Sequence, residues 1–291
     1  MVRGIARTSG LRIEALFREV DGYEAGCLVY VRRRGPLSQV VVPPFCFYSA
    51  VILPPDASAD IRSRLLRELL GGVHGICPDA NVVLPPGAGV PSPGRLPDPW
   101  TSSEFRTYRA PVRPLDEAVQ TWSGGTRRRF AKHAGDYDLD WSVESVPDIL
   151  SLVSDAYQQH GRGLPVGRSD LEGLIRRLYA AGHADVVSLR DRESGRTVAG
   201  MVLMVDDRTG WDWIAGSVRG PGMTVCIGRA FERLRSRGVQ TFDFGGANIE
   251  AIATFKRQFG GEEATYPSLS TPERPLVRWL SGWKSRLTAG G

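Results

Sequence analysis

The stretch GVQTFDFGGANIEAIATFKRQFGG, residues 238–261, decides how the rest of the chain is read. Val239, Thr241, Phe242 and Phe244 form a short β-branched and aromatic run, the composition of a buried strand. Gly245 and Gly246 break it, where the backbone must turn without a Cβ in the way. Asn248 is then placed to cap a helix in which Ile252, Phe255 and Phe259 recur at helical spacing. Gly260 and Gly261 supply a left-handed exit. The unit reads as strand, glycine turn, helix, glycine stop, with Lys256 off the apolar stripe. Of the 37 Lys and Arg residues only 3 are lysine (Lys132, Lys256, Lys284), which leaves 34 arginines. Two readings stand for Lys256: a site that needs a compact, rotatable ammonium rather than a planar guanidinium, or a solvated lysine on a helix face.

Working outward, a helix is expected from about Met223 to Arg237, burying Met223, Cys226, Ile227, Ala230, Phe231 and Leu234, and a last strand near 263–269. Before that helix come three strands (185–190, 197–205, 210–217) joined by short turns. A strand at 137–143 leads to a helix after Pro147, and SerAspLeuGlu at 169–172 reads as a capping box opening a second helix. The order β-α-α-β-β-β-α-β-α-β is an α/β (α+β) layout with a mixed sheet, not a doubly wound one. The first half is less regular. Strands are expected at 23–31, 37–42, 45–53, 81–84 and 105–112, and helices at 58–71, 115–122 and 126–134, with a proline- and glycine-rich loop from Pro85.

Composition sets outer bounds. At 291 residues, with 42% hydrophobic and 24% charged residues, the chain is an ordinary globular one of one large or two small domains. No apolar run is long enough to span a bilayer, and the first ten residues lack the apolar core of a secretory signal; cytoplasm is the expected compartment. Cys27, Cys46, Cys77 and Cys226 are scattered without metal-ligand spacing and read as free thiols; no metal is implied. The net charge of +5 suits an anionic partner. Basic residues gather at Arg127, Arg128, Arg129 and Lys132, along Arg229–Arg237, and in the tail at Arg274, Arg278, Lys284 and Arg286. Their alternative is plain surface solvation. His133, His160 and His183 read as structural residues, the last two standing beside glycine at helix ends. There is no Ser-His-Asp grouping, GxSxG elbow, Walker loop or kinase catalytic loop.

The run DFGG…FK..FG resembles the C-terminal signature of the FemABX family, and a second resemblance lies in the basic helix end formed by Arg128, Arg129, Phe130, Lys132 and Ala134. The likeness covers residues 105–270 well and the first hundred poorly. Members of that family carry two GNAT-like domains and transfer amino acids from aminoacyl-tRNA to amines of peptidoglycan precursors, with relatives acting in natural-product pathways. The resemblance implies two tandem GNAT-like domains, the N-terminal one shortened: residues 1–135, with 271–291 returning to pack on it, and residues 136–270. It places Lys256 and Phe255 at the reaction centre. Two readings stand for Asp243: orienting Lys256 or an incoming amine, or capping the glycine turn. It implies phosphate or tRNA contacts from Arg127, Arg128, Arg129 and Lys132.

In acyl-CoA-dependent GNAT enzymes the loop before the central helix holds a pyrophosphate on backbone N–H groups. Here Arg219, Gly220 and Gly222 echo that loop, but its spacing is short and Pro221 removes one donor. The expected partners are therefore aminoacyl-tRNA and an amine-bearing small-molecule or peptide acceptor, with no resident cofactor. An acyl-CoA-dependent N-acyltransferase and a non-catalytic RNA-binding protein are the alternatives.

Overall fold

The computed structural model describes residues 9–88 and 96–272. The chain divides into two compact units, one of Arg106–Thr265 and one of Val2–Phe105 with Tyr266–Gly291.

In the Val2–Phe105 unit, β1 (Arg12–Val20), β2 (Tyr23–Arg34), β3 (Leu37–Val40) and β4 (Ala50–Ile52) form an antiparallel sheet around β2. The helix α1 (Ala59–Ile76) packs Leu65, Leu66, Leu69, Leu70 and Val73 into its core. Ser58 caps α1, its hydroxyl oxygen accepting the Ile61 N–H at 3.3 Å. A short β5 (Asn81–Val83) follows.

Two departures from the sequence reading have local causes. β1 was not expected, because EALFRE is built from good helix formers; nine paired positions with β2 override that preference. The expected strand at 45–53 shrinks to Ala50–Ile52, since Phe45 takes a left-handed φ of 60° that no continuous strand admits. The expected return of residues 271–291 to the first domain lies, from residue 273 onward, outside the described residues.

The Arg106–Thr265 unit holds most of β6 (Thr101–Pro111), then α2 (Leu115–Thr121), α3 (Gly124–His133), β7 (Tyr137–Asp140), α4 (Val146–Gln159) and α5 (Arg168–Ala180). It continues with β8 (Ala184–Asp191), β9 (Thr197–Val205), β10 (Thr209–Ser217), α6 (Gly222–Ser236), β11 (Thr241–Gly246), α7 (Glu250–Arg257) and the start of β12 (Glu262–Ser270). The sheet order is β12-β6-β11-β10-β9-β8-β7. All the registered pairs are antiparallel except β10 with β11. This is the element order expected from the sequence.

Helices cover both faces of the sheet. α4 lies so close that a Cβ on Gly200 would sit 2.4 Å from Ile149, and one on Gly216 would sit 2.8 Å from the Val153 backbone nitrogen. On the other face α6 buries Val225, Cys226, Ile227, Ala230, Phe231 and Leu234 among Phe242, Phe244 and Phe259.

Three details differ from expectation. Ser169 does not cap α5: the helix already includes Arg168, its N-cap is Gly167, and there is no side-chain cap bond. Gly245 and Gly246 belong to β11, where the register against β6 shifts and Gly245 takes φ 70°. Asn248 is not the cap of α7 either; Ile249 stands there, and the Asn248 Oδ1 accepts the Arg106 N–H at 2.9 Å instead. Consequently α7 is rotated from the expected face. Ala253 is its buried residue, Ile252 is 39% exposed, and Phe259 is fully buried beyond the helix end. Gly260, at φ 72°, does provide the left-handed exit.

Candidate active site

The parallel pairing of β10 with β11 spans only Thr209–Trp211 against Thr241–Asp243. Beyond it the strands part. A bulge between Asp212 and Ile214 keeps β10 on β9, while β11 continues against β6. A parting of this kind leaves backbone groups without a ladder partner, and buried carbonyls must find donors elsewhere.

Lys256, from α7, supplies them. Its Nζ donates to the Phe244 carbonyl oxygen in a short contact and to the Gly246 carbonyl oxygen at 3.1 Å. The reading of Lys256 as a solvated helix-face residue is thereby corrected: the side chain is half-buried and turned back onto β11. Two of its three N–H groups are engaged; the third has no partner among the described residues. Burial pushes the ammonium pKa below the ordinary lysine value, with the Asp212 and Asp243 charges opposing that shift.

Asp243 is fully buried. It accepts hydrogen bonds from the Thr107 hydroxyl at 2.5 Å, the Arg109 Nε at 2.9 Å and the Gly245 N–H at 2.9 Å. The Gly245 bond fastens the segment 244–246 whose carbonyls hold Lys256. Of the two readings open for Asp243, the turn-capping one is therefore present in the hydrogen bonding, and it positions Lys256 indirectly. Phe255, half-buried, packs edge-on against Phe259 with ring centroids 5.1 Å apart. That contact is a packing one.

The other end of α7 is pinned to β6. Arg106 donates to the Ala247 carbonyl oxygen at 2.9 Å and to Glu250 at 2.5 Å, and this bond holds the Glu250 carboxyl below the usual range. Arg257 donates to the Tyr108 hydroxyl oxygen at 3.1 Å, and that hydroxyl donates to Glu263 at 2.7 Å.

The basic helix comes next to this assembly. Ser123 caps α3, its Oγ accepting the Thr126 N–H at 3.3 Å. The Thr126 hydroxyl donates to Gln258 at 2.8 Å, and the Ser123 N–H donates to the Gln258 carbonyl oxygen at 2.9 Å. Gln258 is two residues beyond Lys256, so the two stretches singled out in the sequence meet here. α3 buries Thr126 and Phe130 and turns Arg127, Arg128, Arg129 and Lys132 to solvent. Arg127 donates to the Gln120 side chain at 3.1 Å; Arg128, Arg129 and Lys132 form no ion pair among the described residues.

Arg219, Gly220 and Gly222 lie at the start of α6, apart from the Lys256 carbonyl bridge in the hydrogen-bond network. Arg219 and Gly220 are exposed. Gly222 is buried for packing, since a Cβ there would meet Ala199 at 3.2 Å. Pro221 is the N-cap residue and brings no N–H. His133 pairs with Asp136 at 2.7 Å, and His160 is the C-cap of α4. The four cysteines are unpaired, with burial pushing the Cys27 and Cys46 thiols up to about 12.

Sequence reasoning missed one residue, Asp212. It lies on β10 where the strands part, with Lys256 and Asp243 within electrostatic reach, and burial pushes its carboxyl above the ordinary range. The available signal was a lone carboxylate inside the apolar alternation of TrpAspTrpIle at 211–214.

The Acetyltransferase (GNAT) domain family matches residues 122–257. No curated protein matches the sequence. Among solved structures, FemX is similar over 95% of this chain and 92% of its own, with a TM-score of 0.66 at 11% identity. The C-terminal domain (DUF2156) of a putative lysylphosphatidylglycerol synthetase from Agrobacterium fabrum is similar over 93% and 87%, with a TM-score of 0.56 at 13% identity. A tandem GNAT protein from the clavulanic acid biosynthesis pathway is similar over 90% and 83%, with a TM-score of 0.51 at 12% identity. The element order, the β10–β11 parting and the GNAT match over residues 122–257 agree with these likenesses: the chain has a GNAT-type fold, similar to those of FemX and the tandem GNAT protein.

Proposed function

We propose that this protein is an acyltransferase that moves an aminoacyl group from aminoacyl-tRNA to the amine of a small-molecule or peptide acceptor, forming an amide. The observation that carries the reading is the Lys256 ammonium, fixed on the Phe244 and Gly246 carbonyls at the strand parting with one N–H left over. Attack of an amine on an acyl ester places negative charge on the carbonyl oxygen, and a fixed cation with a spare donor stabilises that charge without reorganising. The ester of a charged tRNA is already activated, so oxyanion stabilisation and amine deprotonation are the tasks left to the protein.

The tRNA part of the reading is supported by α3. Three cations without acidic partners among the described residues, on a helix joined to the Lys256 helix through Gln258, suit contact with phosphates near an ester-bearing end. Binding of charged tRNA should therefore weaken with salt, by about 0.7–0.9 in log–log slope for each phosphate neutralised. The double variant Arg128→Ala, Arg129→Ala should bind more weakly and with a shallower slope. Equal slopes for parent and variant would remove α3 from the interface. Binding of charged tRNA with no transfer to any amine would favour the non-catalytic RNA-binding alternative.

The GNAT domain match favours a second reading, in which the donor is an acyl-CoA. Against it stands the loop before α6, where Pro221 withholds a donor from the turn that would cradle a pyrophosphate. The expected result is that acetyl-CoA neither raises the melting temperature nor competes with charged tRNA. A ligand at a hundred times its dissociation constant stabilises a protein by about 2.7 kcal/mol, so a thermal scan separates the two donors cleanly.

A further inference from the structure

Asp212 stands out because nothing structural accounts for it. Its neighbours in alternation show which way it faces: a Cβ on Gly210 would meet Leu234 of α6, so Gly210 and Asp212 share the α6 face of the sheet. The two fully buried carboxylates of the Arg106–Thr265 unit are both satisfied. Asp185 accepts from Arg233 and Arg237 at 2.8 Å each, and Asp243 has three donors. Asp212 has no hydrogen-bond or ion-pair partner among the described residues. It is half-buried, so it keeps contact with solvent while the protein around it strips most of its hydration.

The charged and titratable groups within electrostatic reach of it come from three elements. α7 presents Lys256, β11 presents Asp243, and α6 presents the Cys226 thiol, which burial keeps protonated. An unpaired carboxylate costs stability wherever it is desolvated, so its place beside a fixed ammonium at the opening between two strands calls for a chemical reason.

We infer that the Asp212 carboxylate accepts the proton released when the acceptor amine attacks the acyl carbon; this rests on the acyltransfer reading above. The amine nitrogen forms a bond to the acyl carbon while its proton passes to Asp212. The negative charge on the carbonyl oxygen faces Lys256. The tetrahedral intermediate then collapses, the bond from carbon to the ribose oxygen breaks, and the proton held by Asp212 goes to that leaving oxygen. Carboxylate and ammonium end in the states in which they began. A thioester donor obeys the same balance, with sulfur as the leaving atom.

Burial raises the carboxyl pKa, which makes Asp212 a stronger base than an exposed aspartate and puts its titration nearer to neutrality. Transfer should rise with pH as Asp212 loses its proton, and fall at high pH as the Lys256 ammonium, itself lowered by burial, loses its own. The linkage sign is the reverse of the usual carboxylate case. The folded state holds the Asp212 proton more tightly than the unfolded state, so ionisation costs stability as pH rises past the unfolded pKa.

Asp212→Asn should therefore lower single-turnover transfer at pH 7 by ~10²-fold or more, remove the acidic limb of the pH–rate profile, and leave the melting temperature equal or higher. A merely structural aspartate would lower the melting temperature and leave the limb in place. If the asparagine variant does not fold, Asp212→Ser supplies the same comparison with a smaller side chain. Both charged tRNA and acyl-CoA are offered as donors. Loss of transfer from acyl-CoA alone supports the base and overturns the tRNA reading. Transfer from charged tRNA within threefold of the parent overturns the base and leaves the tRNA reading standing. No transfer by the parent from either donor overturns both.

Discussion

Lys256→Met is expected to slow transfer from charged tRNA by ~10²–10³ in single-turnover measurements, the loss typical of a removed oxyanion donor. Its effect on stability is smaller but real. Methionine leaves the Phe244 and Gly246 carbonyls without their donor, a loss of about 1–3 kcal/mol for buried acceptors. Relief of the ammonium's own desolvation offsets part of that. The variant should fold, with a lower denaturation midpoint, and its rate is to be normalised to the folded fraction by circular dichroism. Lys256→Arg should restore less than a tenth of the parent rate. The two carbonyls are spaced for a compact ammonium, and a planar fork cannot meet both while aiming a further donor elsewhere. A Met variant that transfers at the parent rate would leave Lys256 as a structural clasp of β11 and nothing more.

That double role explains what the sequence could and could not reveal. The strand-turn-helix stretch at 238–261 was legible because β-branched, aromatic and glycine residues fall in blocks, and the element order of the second half followed from it. Side-chain direction was not legible. Ile252 and Lys256 lie four apart on α7, so a helical wheel that buried Ile252 left Lys256 at the edge. The real helix starts one residue later and buries Ala253 instead. The reason is long-range: Asn248 is taken by the Arg106 N–H of a strand 142 residues away, so it cannot act as the cap. β1 was hidden for a similar reason, since local helix preference gave way to pairing with β2. Asp212 shows the remaining limit. A single aspartate in a strand carries no pattern, and only the parting of β10 from β11 and the missing partner make it conspicuous.

Asp243→Ala is expected to be among the most destabilising single changes in the Arg106–Thr265 unit. The carboxylate is fully buried and satisfies the Thr107 hydroxyl, the Arg109 guanidinium and the Gly245 N–H together. Removing one member of a buried ion pair costs about 3–5 kcal/mol, mostly because the partner is left unpaired. Arg109 is 34% exposed and can rehydrate, which puts the expected loss at about 3 kcal/mol. That is a large share of the 5–15 kcal/mol that holds a typical domain together. Asp243→Asn tests the division of that loss. Its Oδ1 still accepts from Gly245 and Thr107, so the turn is kept while the charge opposite Arg109 is lost, and the cost should be about half. Urea denaturation midpoints at constant slope give both values. Equal midpoints for the parent and the alanine variant would mean that the ion pair contributes nothing net. In the asparagine variant the carbonyls of 244–246 stay where Lys256 needs them, so its folded fraction should transfer at close to the parent rate. In the alanine variant they are released, and transfer should fall even per folded molecule. Asp243 would then act on the chemistry through the turn it holds, in addition to its charge near Lys256.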